Sequence, residues 1–279
     1  MTKFHLHLVS DSTGETAHAL ARACLAQFEG VDVEEHHWTL IRSVNQLDKV
    51  MESIMENPGV VMYTLVNDEF RKTIQSQCQK KRIPCISVLD PIIHFLGTYL
   101  GAESKGKPGI QHEMDEEYFA RIDAMQYALA HDDGQGYWNL DAADIILLGV
   151  SRTSKTPTCL YIANRGLKAA NVPYVPGVPL PEELLKIDEF SGPMVVGLTK
   201  DPDRLIQIRK NRLRSLNEDD NTDYVDIEIV REEVVGCRRV CSEHKWPVID
   251  VTRRSIEETA AAAMKLYETR QLKYMSTEE

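Results

Sequence analysis

The chain has 279 residues, 43% of them hydrophobic and 27% charged, with 15 glycines, 12 prolines and six cysteines. These values are typical of a globular protein and exclude a collagen-like repeat, a disulfide-stapled miniprotein and general disorder. Lys and Arg number 32 against 43 Asp and Glu, and this net charge of −11 argues against a nucleic-acid or anionic-membrane binder.

The chain begins with MTKFHLHLVSDSTGE, which reaches polar residues too early for a secretory leader, and no stretch approaches the roughly 18 apolar residues of a membrane helix. We therefore expect a cytoplasmic protein whose cysteines are reduced. Cys237, Cys241 and His244 are open to interpretation as metal ligands, but a cysteine pair four residues apart on a helix more often packs in a core.

The predicted elements begin with a strand over residues 4–9, which ends at the polar loop Ser10–Gly14. Ser12 and Glu15 have capping-box spacing and predict a helix start, and apolar residues then recur at helical intervals over residues 17–28. Strands and helices continue to alternate. In this half, strands are predicted at 60–66 and 86–89, and helices at 44–56, 67–80 and 116–130.

Gly, Lys and Pro dominate residues 101–109, which form the best candidate for a linker. We predict an N-terminal α/β domain at 1–110, a helical connector at 111–140 and a nucleotide-binding domain at 141–279. The first 140 residues carry 12 basic and 20 acidic side chains, against 20 and 23 in the remainder, so the second half is nearly neutral.

The second half repeats the alternation of strands and helices. Strands are predicted at 144–148, 172–175, 194–198 and 246–251, and helices at 158–166, from Pro202, at 230–243 and from the capping box Ser255–Glu258. Residues 218–223 are predicted to form an exposed loop. Such alternation predicts an α/β fold, with a Rossmann-like unit followed by a P-loop kinase-like unit, each built on a parallel sheet.

The strongest local signal is the segment Gly149–Thr156, because it follows an apolar strand and precedes a helix. A P-loop needs backbone N–H groups that converge on phosphate, a lysine and a hydroxyl that meets Mg²⁺, and Lys155 and Thr156 supply the last two. Ser154 stands where the usual pattern has a second glycine, and its Cβ is expected to restrict φ.

The simpler interpretation is that Gly149 ends a strand and that Lys155 and Thr156 stand at the N-terminus of a helix without binding a phosphate. A lysine in the first turn of a helix opposes the helix dipole, however, so an anion at this position explains it better, and Arg152 adds a second cation.

Three further segments are candidates for a site. Arginines and a lysine are concentrated in residues 201–215. This segment is interpreted as a lid over a nucleotide, as a docking surface for a partner or as a solvated helix face. Asp132, in His131–Gly134, is a candidate base or Mg²⁺ ligand, or part of a helix C-terminal turn. The Ser10–Gly14 loop ends a strand and is a second possible phosphate site, or a cap alone.

Four segments together resemble one family, the bacterial pyruvate, phosphate dikinase regulatory proteins. They are His7–Thr16, Ala130–Gly134, Gly149–Tyr161 and Lys168–Pro173. A sister group, which regulates phosphoenolpyruvate synthetase, more often has Cys-Gly before the lysine, so Thr153-Ser154 points toward the dikinase branch.

The resemblance implies a bifunctional enzyme. It phosphorylates a threonine of the dikinase with ADP as donor, and removes that phosphate with inorganic phosphate, releasing pyrophosphate. It also implies ADP binding and roles in catalysis for particular residues. ADP would contact Gly149, Val150, Ser151, Arg152, Thr153, Ser154, Lys155 and Thr156. Lys155, Asp132 and Arg152 would be catalytic, Thr156 would meet Mg²⁺, and Arg204 or Arg209 would clamp phosphate.

Two other function classes remain open from the residues. A P-loop with an arginine-rich segment also fits a small-molecule kinase, and a nucleotide-dependent binding protein would bind ADP and its partner without transfer. For partners we expect the dikinase or phosphoenolpyruvate synthetase, no nucleic acid and no membrane, and we expect a homodimer.

Overall fold

The computed structural model describes residues 3–110, 116–188, 192–217 and 222–275. The chain divides into two compact units, Met1–Glu113 and Met114–Glu279. Each unit contains a four-stranded parallel sheet with helices between its strands, which confirms the predicted α/β class. The finer division at residues 110 and 140 stays a prediction.

The first unit has the strand order β2-β1-β3-β4. Its strands are β1 (Lys3–Ser10), β2 (Asp32–Trp38), β3 (Val60–Thr64) and β4 (Cys85–Ser87), and its helices are α1 (Glu15–Leu25), α2 (Val44–Glu56), α3 (Asp68–Lys81) and α4 (Asp90–Leu100). The strands pair in parallel throughout. The central strand β1 is buried from Leu6 to Ser10, whereas the edge strand β2 has no buried residue and contains the polar run Glu34–His37.

Helix α1 begins differently from the sequence prediction. Its N-cap is Gly14 in the left-handed region, with φ of 83°, and no side chain caps the helix, so the predicted capping box of Ser12 and Glu15 is wrong. A Cβ at Gly14 would lie 2.8 Å from Thr39 Cγ2, so both the turn and the close approach require glycine.

Helix α4 has no buried residue. Its apolar side chains recur at positions i, i+3, i+4, i+7 and i+8, which places them on one face. These side chains are between 46% and 80% exposed: Ile92, Phe95, Leu96, Tyr99 and Leu100. The first unit therefore presents an apolar helix face to solvent.

The second unit has the strand order β6-β5-β7-β8. Its strands are β5 (Ile145–Gly149), β6 (Ala169–Pro173), β7 (Met194–Thr199) and β8 (Val248–Asp250), and its helices are α5 (Glu116–Ala130), α6 (Lys155–Ala163), α7 (Glu182–Leu185), α8 (Pro202–Ser215), α9 (Ile227–Glu243) and α10 (Ile256–Met275). Short 3-10 helices lie at Tyr137–Ala142 and Asp223–Val225. All strand pairs are parallel.

Apolar cores cover both faces of the second sheet. Strand β5 is completely buried because helices pack on each side of it, as its continuous apolar run predicts. Cys237 and Cys241 lie inside one of these cores, while His244 stacks on Trp246. The cysteine pair on α9 therefore belongs to the packing.

The helix signals in this half have mixed outcomes. Asp201 accepts a hydrogen bond from the Arg204 N–H, and Ser255 and Glu258 form a reciprocal capping box, as predicted. Helix α6 begins at Lys155, three residues before its predicted start, and β6 begins at residue 169 rather than 172. Of the predicted loop at 218–223, residues 218–221 lie outside the described residues, and the 3-10 helix begins at residue 223.

Among the described residues, no helix combines the length and the apolar character that crossing a bilayer requires.

Candidate functional site

The candidate site lies at the carboxyl edge of the second sheet. The chain leaves β5 for β6 on one side and later enters β7 on the other, so β5 stands at a switch in the strand order. In open α/β sheets this is where ligands bind. The loop from residue 150 to residue 154 begins at that point and leads directly into α6.

The loop has a backbone suited to an anion. Arg152 and Ser154 have φ of 70° and 66°, so left-handed residues alternate with Thr153 between them. Alternation of this kind turns successive N–H groups toward one concavity, at the positive end of α6. The Cβ of Ser154 was expected to restrict φ, yet Ser154 adopts the left-handed conformation that a glycine takes without strain.

Gly149 is required by close packing. A Cβ there would lie 2.7 Å from the Leu198 carbonyl oxygen and 2.9 Å from Thr153 Oγ1. Thr153 is completely buried and donates a hydrogen bond to the Val150 carbonyl at 2.9 Å. The hydroxyl of Thr153 thus ties the loop together from inside.

Lys155 is the buried cation of the site. Its side chain is only slightly exposed, and its Nζ donates hydrogen bonds to the carbonyls of Gly149 at 2.8 Å and Val150 at 3.1 Å. Burial lowers the pKa of this ammonium to about 8, although Asp133 and Asp132 oppose the shift. An ammonium has three donors, so one remains for a phosphate oxygen.

Asp132 and Thr156 meet although 24 residues separate them in the chain. Thr156 Oγ1 donates to Asp132 Oδ1 at 2.9 Å, and Asn171 Nδ2 donates to the same oxygen at 2.6 Å. Asn171 Nδ2 also lies 3.1 Å from Thr156 Oγ1. The two bonds hold one carboxylate oxygen of Asp132 and leave the other for a substrate.

Residues 131–134 form the helix C-terminal turn that the sequence allowed, and the role of Asp132 as a base or Mg²⁺ ligand stays a prediction. The segment forms a turn after α5, with φ of 50° at Asp133, and that turn delivers Asp132 to the start of α6. Backbone bonds from Asn171 N to His131 O and from Gly134 N to Asn171 O attach the turn to β6. His131 Nδ1 donates to the Tyr127 carbonyl, and its ring stacks on Tyr127.

Asn171 is a site residue that the sequence interpretation did not single out. It is the polar member of an otherwise apolar buried strand, and this interruption is the signal that identifies it. Its Oδ1 is buried and has no hydrogen-bond partner in the structure. An orphaned buried oxygen beside a carboxylate and a hydroxyl is a feature of sites that receive a ligand.

Arg209 lies beneath the loop rather than over it. Its guanidinium is completely buried, is paired with Glu233 Oε2 at 2.6 Å, and donates to the carbonyls of Ser151 and Tyr224 at 3.3 and 3.0 Å. These contacts do not fit a phosphate clamp. Arg209 instead anchors the loop to α8 and α9 from below.

Tyr224 closes the outer side of the loop. Its hydroxyl lies 2.8 Å from Ser151 Oγ and accepts a bond from Arg152 Nε at 3.3 Å. The Arg209 guanidinium also lies 4.5 Å from the Tyr224 ring centre. Arg152 is thus held at the mouth of the loop by a residue from the 3-10 helix.

Arg204 occupies a different place from Arg209. It lines a cavity of about 860 Å³ at the ends of β7 and β8, together with Arg253 and Arg254. Three aspartates share the same walls: Asp201, Asp203 and Asp250. Arg204 therefore keeps the access to solvent that a phosphate contact requires.

The Ser10–Gly14 loop of the first unit lines a smaller cavity of about 400 Å³, with Thr64, Val66 and Lys107. Asp11 is buried here, and its Oδ2 accepts the backbone N–H groups of Val66 and Asn67. Asp11 thus ties β1 to the start of α3, and the idea of a second phosphate site here stays a prediction.

A comparison with known families and proteins gives concordant results. A family model described as Kinase/pyrophosphorylase matches residues 6–264. A protein of Paramagnetospirillum magneticum is 54% identical over 268 residues, which are 96% of this chain and 85% of the relative. One from Caulobacter vibrioides is 54% identical over 95% of this chain and 83% of its own.

A third relative, from Novosphingobium aromaticivorans, is 53% identical over 97% of this chain and 95% of its own length. All three carry the name of a pyruvate, phosphate dikinase regulatory protein.

Proposed function

Because this chain belongs to the kinase/pyrophosphorylase family, we propose that it moves a phosphoryl group between ADP, inorganic phosphate and a threonine of pyruvate, phosphate dikinase in the cytoplasm. The observation that carries the proposal is the meeting of Lys155, Thr156 and Asp132 at the end of β5. A cation, a hydroxyl and a carboxylate converge there on a loop with an anion-binding backbone.

In the inactivating direction, the threonine oxygen of the dikinase attacks the β-phosphorus of ADP. A new O–P bond forms, the bond between that phosphorus and the bridging oxygen breaks, and AMP leaves. Asp132 accepts the threonine proton on its second oxygen, since the first is held by Thr156 and Asn171. Lys155 and Arg152 neutralise the charge that spreads over the transferring group.

In the activating direction, inorganic phosphate takes the place of ADP in the loop. Its oxygen attacks the phosphorus of the phosphothreonine, the threonine O–P bond breaks, and pyrophosphate leaves. The proton returns from Asp132 to the threonine oxygen. One carboxylate serves both directions because the threonine oxygen is the nucleophile in one and the leaving group in the other.

The donor chemistry gives Ser154 a role. In ADP the transferred phosphate lies one group nearer to the ribose than in ATP, so the cradle must be shorter than in an ATP-dependent kinase. Ser154 adds a Cβ to the left-handed corner of the loop where the usual pattern has glycine. We infer that this atom contributes to the choice of ADP.

Mg²⁺ fits the residues of the site. Thr156 gives its proton to Asp132 and keeps lone pairs for a cation, and the buried Oδ1 of Asn171 has no partner. Oxygen donors of this kind are those Mg²⁺ prefers. When bound, it would supply charge neutralisation to the phosphate oxygens, with Thr156 as its protein ligand.

The deciding experiment mixes the purified protein with pyruvate, phosphate dikinase and, separately, with phosphoenolpyruvate synthetase, and supplies ADP or ATP. We expect phosphothreonine on the dikinase with ADP only. Phosphorylation of the synthetase would move the target to that enzyme. ATP turnover on a metabolite with no protein substrate would instead indicate a small-molecule kinase, and binding of ADP and dikinase with no transfer would indicate a binding protein.

We further propose a homodimer that forms through the apolar face of α4. With Ile86 on the edge strand β4, this face presents six large apolar side chains that are each between 46% and 80% exposed, and one partner of a standard interface contributes roughly 800 Å². Asp90 is paired with Arg71, so the face has few charges to desolvate. Such an apolar surface suits a permanent interface between two copies better than a transient one with a substrate.

The oligomeric state tests this interface. We expect sedimentation to show twice the chain mass of 31.7 kDa for the wild type and a monomer for a Phe95→Ser/Tyr99→Ser double variant. The control is Trp138→Ser in the other unit, where an equally exposed aromatic residue is removed. A dimer that survives the double substitution would place the interface elsewhere.

A further inference from the structure

A group of histidines and glutamates lies in the first unit, on strand β2 and the elements beside it. Strand β2 contains the run Glu34-Glu35-His36-His37, and successive side chains of a strand point to opposite faces. Each face of β2 therefore carries one glutamate and one histidine. On one face Glu35 and His37 are met by His18 of α1, and on the other Glu34 and His36 are met by His5 of β1.

We propose that His18, Glu35 and His37 form a binding site for a divalent transition metal such as Zn²⁺. His18 Nδ1 lies 3.2 Å and His37 Nε2 lies 3.4 Å from the same oxygen, Glu35 Oε2. Ligands that each lie 2.0–2.1 Å from a tetrahedral zinc are about 3.3 Å apart. Both distances match that spacing, and the three ligand atoms all lie within 4.8 Å of one another, which is compact enough to surround one zinc ion.

The donor set points to the class of metal. Two imidazoles and one carboxylate suit zinc and its neighbours in the first transition row, whereas Ca²⁺ and Mg²⁺ prefer oxygen alone. The side chains are between 21% and 46% exposed, so solvent reaches the site. Three protein ligands with a water in the fourth position is the pattern of an open zinc site rather than a closed structural one.

The triad on the opposite face is the weaker candidate. Its two nitrogens, His5 Nδ1 and His36 Nε2, are only 3.0 Å apart, which a hydrogen bond between the two rings explains. The Lys3 ammonium lies 2.9 Å from Glu34 Oε2 and already neutralises that carboxylate. A metal there would have to displace the lysine.

The site has a defined place in the fold. His18 lies in α1, which begins directly after the Ser10–Gly14 loop, and Glu35 and His37 lie on the edge strand β2. A bound metal would tie the helix to the sheet edge. Because metal that binds only the folded chain stabilises it, zinc should raise the unfolding temperature of the wild type.

The test uses the full chain without a histidine tag, stripped of metal with a chelator and titrated with Zn²⁺ against a chromophoric competitor. We expect one tight site in the wild type, and at least a tenfold loss of zinc affinity in each of His18→Ala, Glu35→Gln and His37→Ala. The matched control is His5→Ala, which disables the opposite triad and should leave this affinity unchanged. Circular dichroism checks that each variant folds.

Two outcomes would overturn the proposal. One is zinc affinity that persists in His37→Ala and disappears in His5→Ala, which would move the site to Glu34. The other is wild-type protein that binds zinc no better than the His18→Ala variant and gains no thermal stability from it. Because the readout is metal binding and not phosphoryl transfer, the result is independent of the proposed enzymatic function.

Discussion

The two units place their first strand in the same position, with the second strand on one side and the third and fourth on the other. In both, a short polar loop joins that first strand to a helix at the carboxyl edge of the sheet. The helices differ at their first turn, because α1 begins with Glu15 and α6 begins with Lys155. The same topology thus presents opposite charges to the same position.

The difference favours the loop of the second unit as the phosphate site that we propose. In the first unit, Asp11 binds two backbone N–H groups and Glu15 lies at the positive end of α1, so negative charge is supplied from within. In the second unit the first turn of α6 has no acidic residue, and the buried Lys155 adds positive charge. No acidic residue in that first turn balances this positive charge, so a bound nucleotide or inorganic phosphate would balance it.

Lys155→Met is expected to have the largest effect. Loss of the ammonium should lower ADP-dependent phosphorylation by about 10²–10³-fold or more, because a preorganised cation at the transferring phosphate disappears. The free energy of unfolding at pH 7 should rise by up to about 3 kcal/mol, since a charge whose pKa burial lowers to about 8 is no longer enclosed. Initial rates and denaturant unfolding measure the two effects.

The matched control for Lys155→Met is Glu15→Gln, at the start of α1 in the other unit, which should leave the rate unchanged. Full kinase activity in Lys155→Met would contradict the assignment of the second loop as the phosphate site.

Asp132→Asn should lower the rate of threonine phosphorylation by about 10²-fold or more, because an amide accepts no proton from the hydroxyl. Binding of ADP should change little, since Lys155 and the loop backbone remain. Asp133→Asn is the control, because Asp133 is exposed and adjacent. Equal rates for the two variants would show that Asp132 has only a structural role.

Asp11→Ala tests the other loop. The substitution leaves the N–H groups of Val66 and Asn67 without their acceptor, so the free energy of unfolding should fall by about 2–3 kcal/mol. Affinity for ADP, measured by calorimetry, should stay the same. A parallel loss of ADP binding would mean that the first unit also contributes to the nucleotide site.

The pH dependence should move activity and stability in opposite directions. Transfer needs the Lys155 ammonium, so kcat/KM for ADP should show no decline between pH 7 and about pH 8 and should fall about tenfold per pH unit above it. The pKa of Lys155 is lower in the folded chain than in the unfolded one, which binds the extra proton between about pH 8 and 10.5. The contribution of this group to the unfolding free energy therefore rises over that interval.

In Lys155→Met, the decline of kcat/KM above about pH 8 and the rise in unfolding free energy between about pH 8 and 10.5 should both be absent. An activity profile that declines only above pH 10 would show that Lys155 keeps an ordinary pKa.

Ser154→Gly should have the smallest effect. Glycine adopts the left-handed conformation without strain, which offsets its greater freedom in the unfolded chain, so the unfolding free energy should rise by about 1 kcal/mol or less. The ratio of the phosphorylation rate with ADP to the rate with ATP should fall by a small factor. Unchanged affinity and donor choice would remove Ser154 from the account of donor selection.

Local sequence was enough to predict the turn between β5 and α6, because strand, turn and helix follow one another within residues 144–166. The sequence also marked Asp132 as a candidate, but its meeting with Thr156 depends on a turn that pairs with β6, and no local pattern encodes that pairing. A charged residue such as Arg209 is typical of a protein surface. In the structure it is buried in an ion pair with Glu233, and this gives it a different role.

Two of the elements that were not predicted, β2 and α4, were missed for different physical reasons. Strand β2 was not predicted because it lies at the edge of its sheet, where polar residues are tolerated and the apolar alternation is lost. Helix α4 was not predicted because its apolar stripe follows a strand with only one polar break, so the strand and helix patterns merge in the sequence. Strand β2 thus depends on its place in the sheet, whereas the pattern of α4 is obscured by the strand that precedes it in the chain.

The attachment of the loop at residues 150–154 to Arg209 has a mechanical consequence. A loop between a strand and a helix is ordinarily held only at its two ends. This loop has a third attachment, because the Ser151 carbonyl accepts a hydrogen bond from the Arg209 guanidinium, which Glu233 of α9 also binds. Displacement of α8 or α9 therefore reaches the loop without passing through the sheet. A partner that displaces those helices would therefore also change the fit of the loop to the phosphate that we propose it binds.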